Sequence, residues 1–336
     1  MIPRRILITG ATGRIGHVIA ETLIQETDCI LYLLVRDPTR LRLDPHSRSG
    51  ITLLPGDLAG IRQHACILRE VDAAILAAAR WVSSDAFDIN VTQTLGLLGL
   101  LDPSVCTQVL YFSTASVLDH NNRLLKEAGE RGTSYVRSKV ECLRRLPDLS
   151  IASKTTVLFP TLVVGGDAAH PDPDFGSALP RSLRWLWVVR FLSIDGSFHF
   201  IHVRDLVRVV RHLLEHPPAA PALRYLVLGQ PPLTVNQAIA EVCAYLGRSI
   251  PFRIAVGPPV LRLAAGALGI ATPRAERPWT QFCLTYRHFT YQDVVNPASL
   301  GLSTYCPTVS DVLRIYGIPR AGDPVRHVSG PSSGSR

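Results

Sequence analysis

Apolar positions in the first half of the chain fall into short continuous runs separated by longer amphipathic segments. The runs of strand length are Ile6–Thr9, Cys29–Val35, Ile51–Leu54, Ala73–Ala79 and Thr107–Phe112. A continuous apolar run is typical of a parallel strand that is covered on both faces. Ile15–Gln25 instead carries its apolar residues at helical spacing, as an amphipathic helix does. The alternation predicts an α/β fold built on a doubly wound parallel sheet.

The second half repeats the alternation more loosely. The elements predicted there are strands at Phe198–Val203 and Leu223–Leu228 and helices at Arg204–Leu214, Val235–Leu246 and Glu276–Phe289. A further helix is predicted in the first half, at Asp88–Leu101. Thr234 is placed to cap its helix and Gly247 to end it. We therefore predict a sheet domain over residues 1–164 with returning segments at about 198–230. A smaller C-terminal lobe is predicted over about 165–197 and 231–318, and a disordered tail over 319–336.

Composition describes an ordinary globular protein. The chain has 336 residues, of which 47% are hydrophobic, so it can bury a large core. We expect no secretory signal and no transmembrane helix, because Ala73–Ala79 is too short and Val256–Ala271 is interrupted by Pro258, Pro259 and Arg262. The seven cysteines lie far apart without C-x-x-C pairs, which favours reduced thiols, a cytoplasmic protein and no metal site.

Charge adds little to this description. The net charge is +8, but lysines and arginines are spread singly along the chain rather than in runs. This favours a basic solvated surface over nucleic-acid binding. Val256–Ile270 is apolar, and three interpretations stay open beside the favoured one of a buried helix: a cover over the substrate, a partner-subunit contact, or peripheral contact with a membrane surface.

The clearest chemical signal follows the first apolar run, where three glycines stand at three-residue spacing. Glycine permits the tight turn and lets a phosphate approach the backbone amides. The helix that begins near Arg14 then points its positive N-terminal end at the phosphate. The predicted diphosphate-binding residues are Gly10, Thr12, Gly13, Arg14, Ile15 and Gly16. A βα turn that binds no ligand is the alternative.

Three further positions are predicted to contact a dinucleotide. Arg36 ends the second strand, where an arginine accommodates a 2′-phosphate, so it favours NADP with Arg40 or Arg42 as helpers. NAD stays open if Asp37 turns towards the ribose instead. Asp57, with Leu58 beside it, either accepts from the adenine amino group or caps a helix. Ala77 and its small neighbours leave room for a flat ring against the fourth strand.

A pair of reactive side chains comes after the fifth strand. Tyr135 and Lys139 are four residues apart on a predicted helix, so both emerge from one face. An adjacent ammonium stabilises a phenolate, and we expect it to bring the phenol's pKa towards the working range of a general acid–base. A hydroxyl of Ser113, Thr114 or Ser116, at the end of the strand, would hydrogen-bond the same substrate oxygen.

These motifs together resemble the extended short-chain dehydrogenase/reductase family. They are Thr-Gly-Ala-Thr-Gly-Arg-Ile-Gly at 9–16, Gly-Asp-Leu at 56–58, Tyr-Phe-Ser-Thr-Ala-Ser-Val at 111–117 and Tyr-Val-Arg-Ser-Lys at 135–139. The resemblance covers about residues 5–318 and implies a Rossmann-type fold. It implies Tyr135 as proton donor or acceptor, Lys139 on the nicotinamide ribose and the tyrosine, and Thr114, ahead of Ser113, as the hydroxyl that polarises the carbonyl. It also implies a homodimer through the helices near Asp88–Leu101 and Tyr135–Leu146.

Departures from the nucleotide-sugar members of that family narrow the substrate. Those members usually have Tyr-Gly after the serine strand, where this chain has Leu118-Asp119, and arginines at places that here hold Phe159 and His199-Phe200. The resemblance is therefore closer to the reductase branch, which includes dihydroflavonol-reductase-like, 3β-hydroxysteroid-dehydrogenase-like and thioester-reductase-like proteins. We expect an NADP-dependent oxidoreductase acting on a fairly apolar small molecule. The alternatives are an NAD-dependent nucleotide-sugar epimerase or dehydratase and a non-catalytic dinucleotide sensor or assembly factor.

Overall fold

A computed structural model gives the structure of the protein and describes residues 4–81, 85–166, 172, 175–257 and 276–323. Its centre is one seven-stranded sheet. The strands of this sheet are β1 (Arg5–Thr9), β2 (Ile30–Val35), β3 (Ile51–Pro55), β4 (Ala73–Leu76), β5 (Gln108–Phe112), β6 (Thr155–Pro160) and β11 (Arg224–Leu228). All six pairings are parallel. The predicted doubly wound α/β sheet is confirmed.

The order of the strands places a crevice at the centre of the sheet. It is β11-β6-β5-β4-β1-β2-β3, so the chain runs outward in one direction from β1 through β2 and in the other from β4 through β5. Ile6 pairs with Leu31 on one side and with Ala73 on the other. Helices that follow neighbouring strands at such a switch point lie on opposite faces, which leaves a ligand-binding crevice at the carboxyl ends of the strands.

Successive residues of the strands contribute alternately to two apolar layers, one on each face of the sheet. Ile6 and Ile8 pack on the layer that includes Ile19 and Val210, whereas Leu7 packs on the layer that includes Val140. The helices in chain order are α1 (Arg14–Glu26), α2 (Ala65–Leu68), α3 (Ala86–Asp88), α4 (Thr94–Leu98), α5 (Lys126–Arg131), α6 (Ser134–Arg145), α7 (Phe175–Arg184), α8 (Leu186–Val189), α9 (Val203–Glu215), α10 (Val235–Tyr245), α11 (Arg277–Tyr286) and α12 (Val309–Ile315). Thus α1 and α9 cover one face of the sheet, and α4 and α6 cover the other.

The helix predicted at Asp88–Leu101 has an irregular centre. It begins at Ala86, passes through a π-helical segment over Ile89–Gln93 and ends at Leu98. π-helical turns are rare and are frequent at functional sites. Asn90, in that segment, is buried, at 1% exposure.

The remaining strands form small sheets in the second half. They are β7 (Leu162–Val164) with β10 (Phe200–His202), β8 (Leu192–Ile194) with β13 (Ile254–Val256), and β9 (Ser197–Phe198) between β12 (Leu233–Thr234) and β14 (His288–Phe289). Thr234 caps α10 in a capping box with Gln237, and Gly247 follows the helix at a φ of +64°, as predicted. The predicted strand at Phe198–Val203 is divided into β9 and β10, and the predicted helix Glu276–Phe289 stops at Tyr286.

A buried carboxylate on α9 holds the chain at Tyr305 and Cys306. Asp205, in the first turn of α9, is fully buried and accepts hydrogen bonds from the amides of Tyr305 (2.6 Å) and Cys306 (2.9 Å). Bonds from two amides compensate a buried carboxylate for the water it loses. Most of the apolar stretch Val256–Ile270 and of the predicted tail lies outside the described residues.

Candidate active site

A cavity of about 740 Å³ opens at the carboxyl ends of β1, β4 and β5. Thirteen of the residues predicted to bind a cofactor or to take part in catalysis border it. They are Gly10, Thr12, Gly13, Arg14, Ile15, Gly16, Arg36, Asp57, Leu58, Ala77, Thr114, Tyr135 and Lys139. The structure therefore brings together residues from six separate segments of the chain. Their individual roles stay predictions.

The glycine turn is shaped so that side chains are excluded at two positions. Gly10 has a φ of +78°, and a Cβ there would lie 2.7 Å from the backbone nitrogen of Ala78. A Cβ on Gly16 would overlap the carbonyl group of Gly10. Gly13 donates to the Gly10 carbonyl at 2.8 Å and precedes α1, whose N-terminus has no side-chain cap. This cradle fits a diphosphate, which would accept from the amides of the first turn of the helix.

The predicted ribose end presents an arginine rather than a free carboxylate. Arg36 is exposed and borders the cavity just past β2. Asp37 is occupied within its own turn, where it accepts from the amide of Thr39 at 3.0 Å and from its hydroxyl at 2.6 Å. These hydrogen bonds lower the pKa of the Asp37 carboxyl. Arg40 and Arg42, the predicted helpers, are not among the described residues that border the cavity.

Asp57 borders the cavity and also stabilises its own turn. Its carboxylate accepts from the amides of Ala59 at 3.0 Å and Gly60 at 3.3 Å, which stabilises the turn after β3. Leu58 is 4% exposed and packs into the core below the cavity. Both residues border the cavity. Asp57 can stabilise this turn and also accept from an adenine amino group, since a carboxylate accepts more than two hydrogen bonds.

Arg14 is fixed at the mouth of the cavity by a residue that the sequence did not single out. Its guanidinium makes a two-pronged ion pair with Asp172, at 2.5 Å and 2.9 Å, and reaches the carbonyl of Val163 at 3.3 Å. The Asp172 side chain is 4% exposed. A planar guanidinium held on two carboxylate oxygens has a defined orientation. Arg14 therefore joins α1 to the chain beyond β7.

The pair Tyr135 and Lys139 lies on α6, which Thr133 caps by accepting from the amide of Val136. Both are buried, Tyr135 at 7% and Lys139 at 2% exposure. The Lys139 ammonium donates to the carbonyl of Phe112 at 2.7 Å and to the hydroxyl of Tyr111 at 3.4 Å. Burial lowers the pKa of Lys139 to about 8, because removal from water disfavours its charged form.

The expected effect of Lys139 on the phenol is wrong for this structure. Burial raises the pKa of Tyr135 rather than lowering it. The ammonium lies 5.8 Å from the centre of the Tyr135 ring and is held by Phe112 and Tyr111. The loss of hydration of the phenolate therefore outweighs the attraction of the lysine.

Two hydroxyls after β5 differ in how they are bonded. Thr114 caps the following turn by accepting from the amide of Ser116, and its Oγ1 lies 2.9 Å from the hydroxyl of Ser116. Ser113 is 4% exposed, and its Oγ has no hydrogen-bond partner among the described residues. A buried polar atom without a partner is uncommon and calls for a ligand or water. This observation supports a polar ligand atom near Ser113.

An aromatic residue that sequence reasoning missed covers the phenol ring. Trp81 stacks on Tyr135 with ring centres 4.1 Å apart and planes inclined by 15°. Arg80, the residue before it, also borders the cavity and pairs with Asp85 at 2.7 Å. Because Trp81 follows the fourth strand without any motif around it, only the general placement of loops at this sheet edge could have pointed to it.

Several polar and aromatic side chains of the second half are engaged or exposed away from the cavity. Arg287 and His288 pair with Asp195 at 2.6 Å and 3.3 Å. Trp185 and Trp187 are exposed and are not among the described residues that border the cavity. His202 caps α9 by accepting from the amide of Arg204.

No helix among the described residues has the length and apolar character needed to cross a membrane. Within the same part of the chain, no cluster of three or more His, Cys, Asp or Glu residues could hold a metal ion.

The fold is shared with solved enzymes of low sequence identity. The terminal R domain from the myxalamid PKS-NRPS biosynthetic pathway superimposes with a TM-score of 0.67 at 17% identity, covering 96% of this chain and 93% of that chain. The dTDP-glucose 4,6-dehydratase from Bacillus anthracis, in complex with NAD, gives 0.60 at 13% identity, with 94% and 96% covered. The UDP-glucuronic acid 4-epimerase from Bacillus cereus gives 0.57 at 17%, with 94% and 98% covered.

Sequence comparison assigns the family. No curated protein matches the chain. Residues 6–229, more than half of the chain, match the model of the NAD dependent epimerase/dehydratase family. This match includes the glycine turn, the strand-end hydroxyls and the Tyr135–Lys139 pair, and it confirms the resemblance seen in the motifs. The protein is therefore an NAD(P)-dependent enzyme of the oxidoreductase type, and the chain belongs to the NAD-dependent epimerase/dehydratase family.

Proposed function

We propose that the protein is an NADP-dependent oxidoreductase that interconverts a carbonyl and an alcohol on a fairly apolar small molecule. The observation that carries the proposal is one cavity with two chemically distinct ends. One end holds the glycine turn and Arg36, and the other holds Tyr135, Lys139 and the strand-end hydroxyls. A dinucleotide binds across such a crevice with its diphosphate on the helix N-terminus.

The chain's residues would hold the cofactor by its phosphates and ribose. The amides at the start of α1 would donate to the diphosphate, and the Arg36 guanidinium would pair with a 2′-phosphate. Bound NADP(H) supplies or accepts the hydride. Lys139, already buried beneath Tyr135, would contact the nicotinamide ribose.

The proton is assigned to Tyr135. In the direction of reduction, its phenol donates a proton to the substrate oxygen while that oxygen becomes an alcohol. The raised pKa of Tyr135 keeps the phenol protonated at neutral pH, which suits it to act as the acid. Thr114 or Ser113 would hydrogen-bond the same oxygen and hold it within reach. Oxidation of the alcohol requires the phenolate, for which the charge of Lys139 is the nearest source of stabilisation.

Residues at the reacting end favour an apolar substrate. Phe112, Ile89, Leu162 and Trp81 border the cavity there. Two of the arginines that border the cavity have carboxylate partners, since Arg14 pairs with Asp172 and Arg80 with Asp85, and Arg36 lies at the ribose end. A second diphosphate, as in a nucleotide sugar, would have to compete for these guanidinium groups. Together with Phe159 and His199 at places where nucleotide-sugar enzymes carry arginine, this supports a neutral apolar or acyl substrate.

The test begins with the cofactor and continues to turnover. NADPH and NADH are titrated against the protein, and a panel of aldehydes, ketones and acyl thioesters is then followed by the absorbance of the reduced nicotinamide. We expect tighter binding of NADPH and turnover of part of the panel. Tyr135→Phe should abolish that turnover with cofactor binding nearly unchanged, and undiminished activity in this variant would refute the assigned mechanism.

An NAD-dependent nucleotide-sugar epimerase or dehydratase is the second candidate. It is favoured by the family assignment and by the fold shared with the dTDP-glucose dehydratase, which was solved in complex with NAD. Such an enzyme would retain its cofactor through turnover. Protein purified with bound NAD, and without preference for a 2′-phosphate, would support it. Dinucleotide binding with no turnover of any panel member would instead favour a sensor or assembly factor.

A further inference from the structure

A stretch in the second half of the chain is apolar without being buried. Of the twelve residues 183–194, nine are apolar, and none of the twelve is buried. The stretch includes α8, whose four residues Leu186–Val189 are all apolar. Trp185 is 45% exposed and Trp187 is 67% exposed. So much apolar area in water on one short stretch is unusual for a protein surface and is typical of a contact site.

A second exposed segment is joined to this stretch. β13 pairs with β8, and the amide of Ile254 donates to the carbonyl of Phe191 at 2.7 Å. The ring of Phe252 stacks on that of Phe191 with centres 4.9 Å apart. Phe252 is 56% exposed and Ile254 is 59% exposed. We call the two segments, residues 183–194 and 248–256, together the aromatic patch.

The charged residues of the aromatic patch are all basic. The patch contains no aspartate or glutamate and four arginines, which are Arg184, Arg190, Arg248 and Arg253. The first, third and fourth of these are exposed. The whole protein carries a net charge of +8, so the field of the patch adds to an overall positive one. A partner that fits this patch must therefore offer apolar volume and negative charge together.

These two requirements distinguish the candidate partners. In a symmetric contact between two copies the same surface meets itself, so the arginines of one copy would face those of the other. A nucleic acid offers negative charge but no apolar layer that could take up Val188, Val189 and Ile254. The surface of an anionic bilayer offers both, because tryptophan rings lie at the headgroup level and arginines are attracted to acidic lipids.

We propose that the aromatic patch is a docking surface for an anionic phospholipid bilayer. In this arrangement α8 lies at the headgroup level, Trp187 enters the boundary with the acyl chains, and the arginines contact lipid phosphates. Neither Trp185 nor Trp187 is among the described residues that border the cavity. Docking therefore leaves the candidate active site unoccupied, and the inference does not depend on the proposed enzyme activity.

The test measures binding of the full chain to large vesicles by co-sedimentation. Vesicles of phosphatidylcholine alone are compared with vesicles in which a third of the lipid is phosphatidylglycerol, at low and at physiological salt. Two variants probe the two components of the patch. Trp187→Ser removes one exposed indole, and the double variant Arg184→Ser with Arg253→Ser removes two positive charges.

Each variant has a matched control elsewhere on the surface. Tyr225→Ser removes an aromatic residue that is 51% exposed on β11, outside the patch. Arg62→Ser with Arg69→Ser removes two exposed arginines between β3 and β4, so the net charge changes by the same amount as in the patch variant. Thermal unfolding of every variant shows that it is folded.

We expect the wild type to bind the anionic vesicles, and to bind them less tightly as salt rises because the attraction is screened. Arg184→Ser with Arg253→Ser should weaken this binding about 25-fold at low salt, since each arginine near such a surface contributes about fivefold. Trp187→Ser should weaken it about tenfold or more, by loss of buried apolar area. Both controls should stay within about twofold of the wild type.

Tryptophan emission provides a second readout. An indole that moves from water into the headgroup region emits at shorter wavelength, so anionic vesicles should shift the emission of the wild type and shift that of Trp187→Ser less. Absence of wild-type binding would overturn the inference, as would equal losses in the two arginine pairs, which would reflect net charge alone. A lipid-free dimer that Trp187→Ser dissociates would assign the patch to a second copy instead.

Discussion

The Lys139 ammonium donates a 2.7 Å hydrogen bond to the carbonyl of Phe112, the last residue of β5, and lies 5.8 Å from the centre of the Tyr135 ring. A charged group buried this deeply loses hydration that one strong hydrogen bond and a longer one to Tyr111 only partly replace. Two predictions depend on this relationship, one for stability and one for activity.

Lys139 should make the stability of the protein rise with pH in the alkaline range. Its pKa is lowered from 10.5 to about 8, so between these values the unfolded chain binds more protons than the folded one. The free energy of unfolding therefore increases as pH rises from about 8 to about 10.5, by an amount on the order of 3 kcal/mol. Urea unfolding at several pH values measures it.

Lys139→Met provides the control for that measurement, since other groups titrate in the same range. Burial raises the pKa of Cys106 and Cys283 to about 11, so both thiols also contribute at high pH, in the wild type and the variant alike. As the pH rises from 7 to 10, the free energy of unfolding of the wild type should increase relative to that of Lys139→Met. Parallel curves would show that Lys139 does not titrate there.

Activity in the direction of reduction should fall as pH rises past about 8. The phenol of Tyr135 stays protonated in this range because burial raises its pKa, whereas Lys139 loses its charge near pH 8. We expect kcat/KM to report the lysine, with one ionisation on the alkaline side. In Lys139→Arg the guanidinium stays charged, so the residual activity should persist to higher pH. An unchanged profile in this variant would assign the ionisation to another group.

Arg36 should determine the preference for the 2′-phosphate. Arg36→Ser should weaken NADPH binding at least tenfold, the order expected from losing a charge-assisted contact with a phosphate, and leave NADH binding within about twofold. Arg40→Ser is the matched control, because Arg40 lies in the next turn without bordering the cavity. Fluorescence titration of both nucleotides measures the effect, and an equal loss for NADPH and NADH would assign Arg36 to another part of the cofactor.

Substitution should distinguish the roles of the Thr114 and Ser113 hydroxyls, which follow β5. If Thr114 polarises the carbonyl, Thr114→Val lowers kcat by about 100-fold or more, in the range found for loss of one such donor. It should also reduce stability by about 1 kcal/mol, because the cap on Ser116 is lost. Ser113→Ala removes a buried hydroxyl that has no partner among the described residues, so stability should not fall. A large loss of kcat in Ser113→Ala alone would transfer the role to Ser113.

Much of the fold and the list of cavity residues could be predicted because the signals are local. The glycine spacing at Gly10, Gly13 and Gly16 reflects backbone constraints within one turn, and Tyr135 and Lys139 share a helix face at four-residue spacing. Parallel strands are visible as apolar runs because both faces are buried. Such features depend on neighbours in sequence, which a pattern records directly.

The rest depends on contacts between distant segments. The pKa of Tyr135 was expected to fall, but the partners of Lys139 at Phe112 and Tyr111 are set by how α6 packs on β5. Asp172 meets Arg14 across 158 positions of sequence. The buried side chain of Asn90 meets Ser138 of α6 across 48 positions of sequence. An exposed tryptophan such as Trp81 has no pattern of its own, so its contact with Tyr135 appears only when the chain is folded.

The strand order has a consequence for synthesis of the chain. β1 leaves the ribosome before β2 and β4, yet it lies between them in the interior of the sheet. The edge of β1 that pairs with β4 stays open until Ala73–Leu76 emerges. Gly10 likewise has no packing partner on this side until Ala78 emerges. During this interval the nascent chain presents an apolar strand with unpaired amides, the kind of edge that aggregates or recruits a chaperone. Substitutions that slow translation or docking of β4 should therefore lower the yield of soluble protein without changing the activity of the molecules that fold.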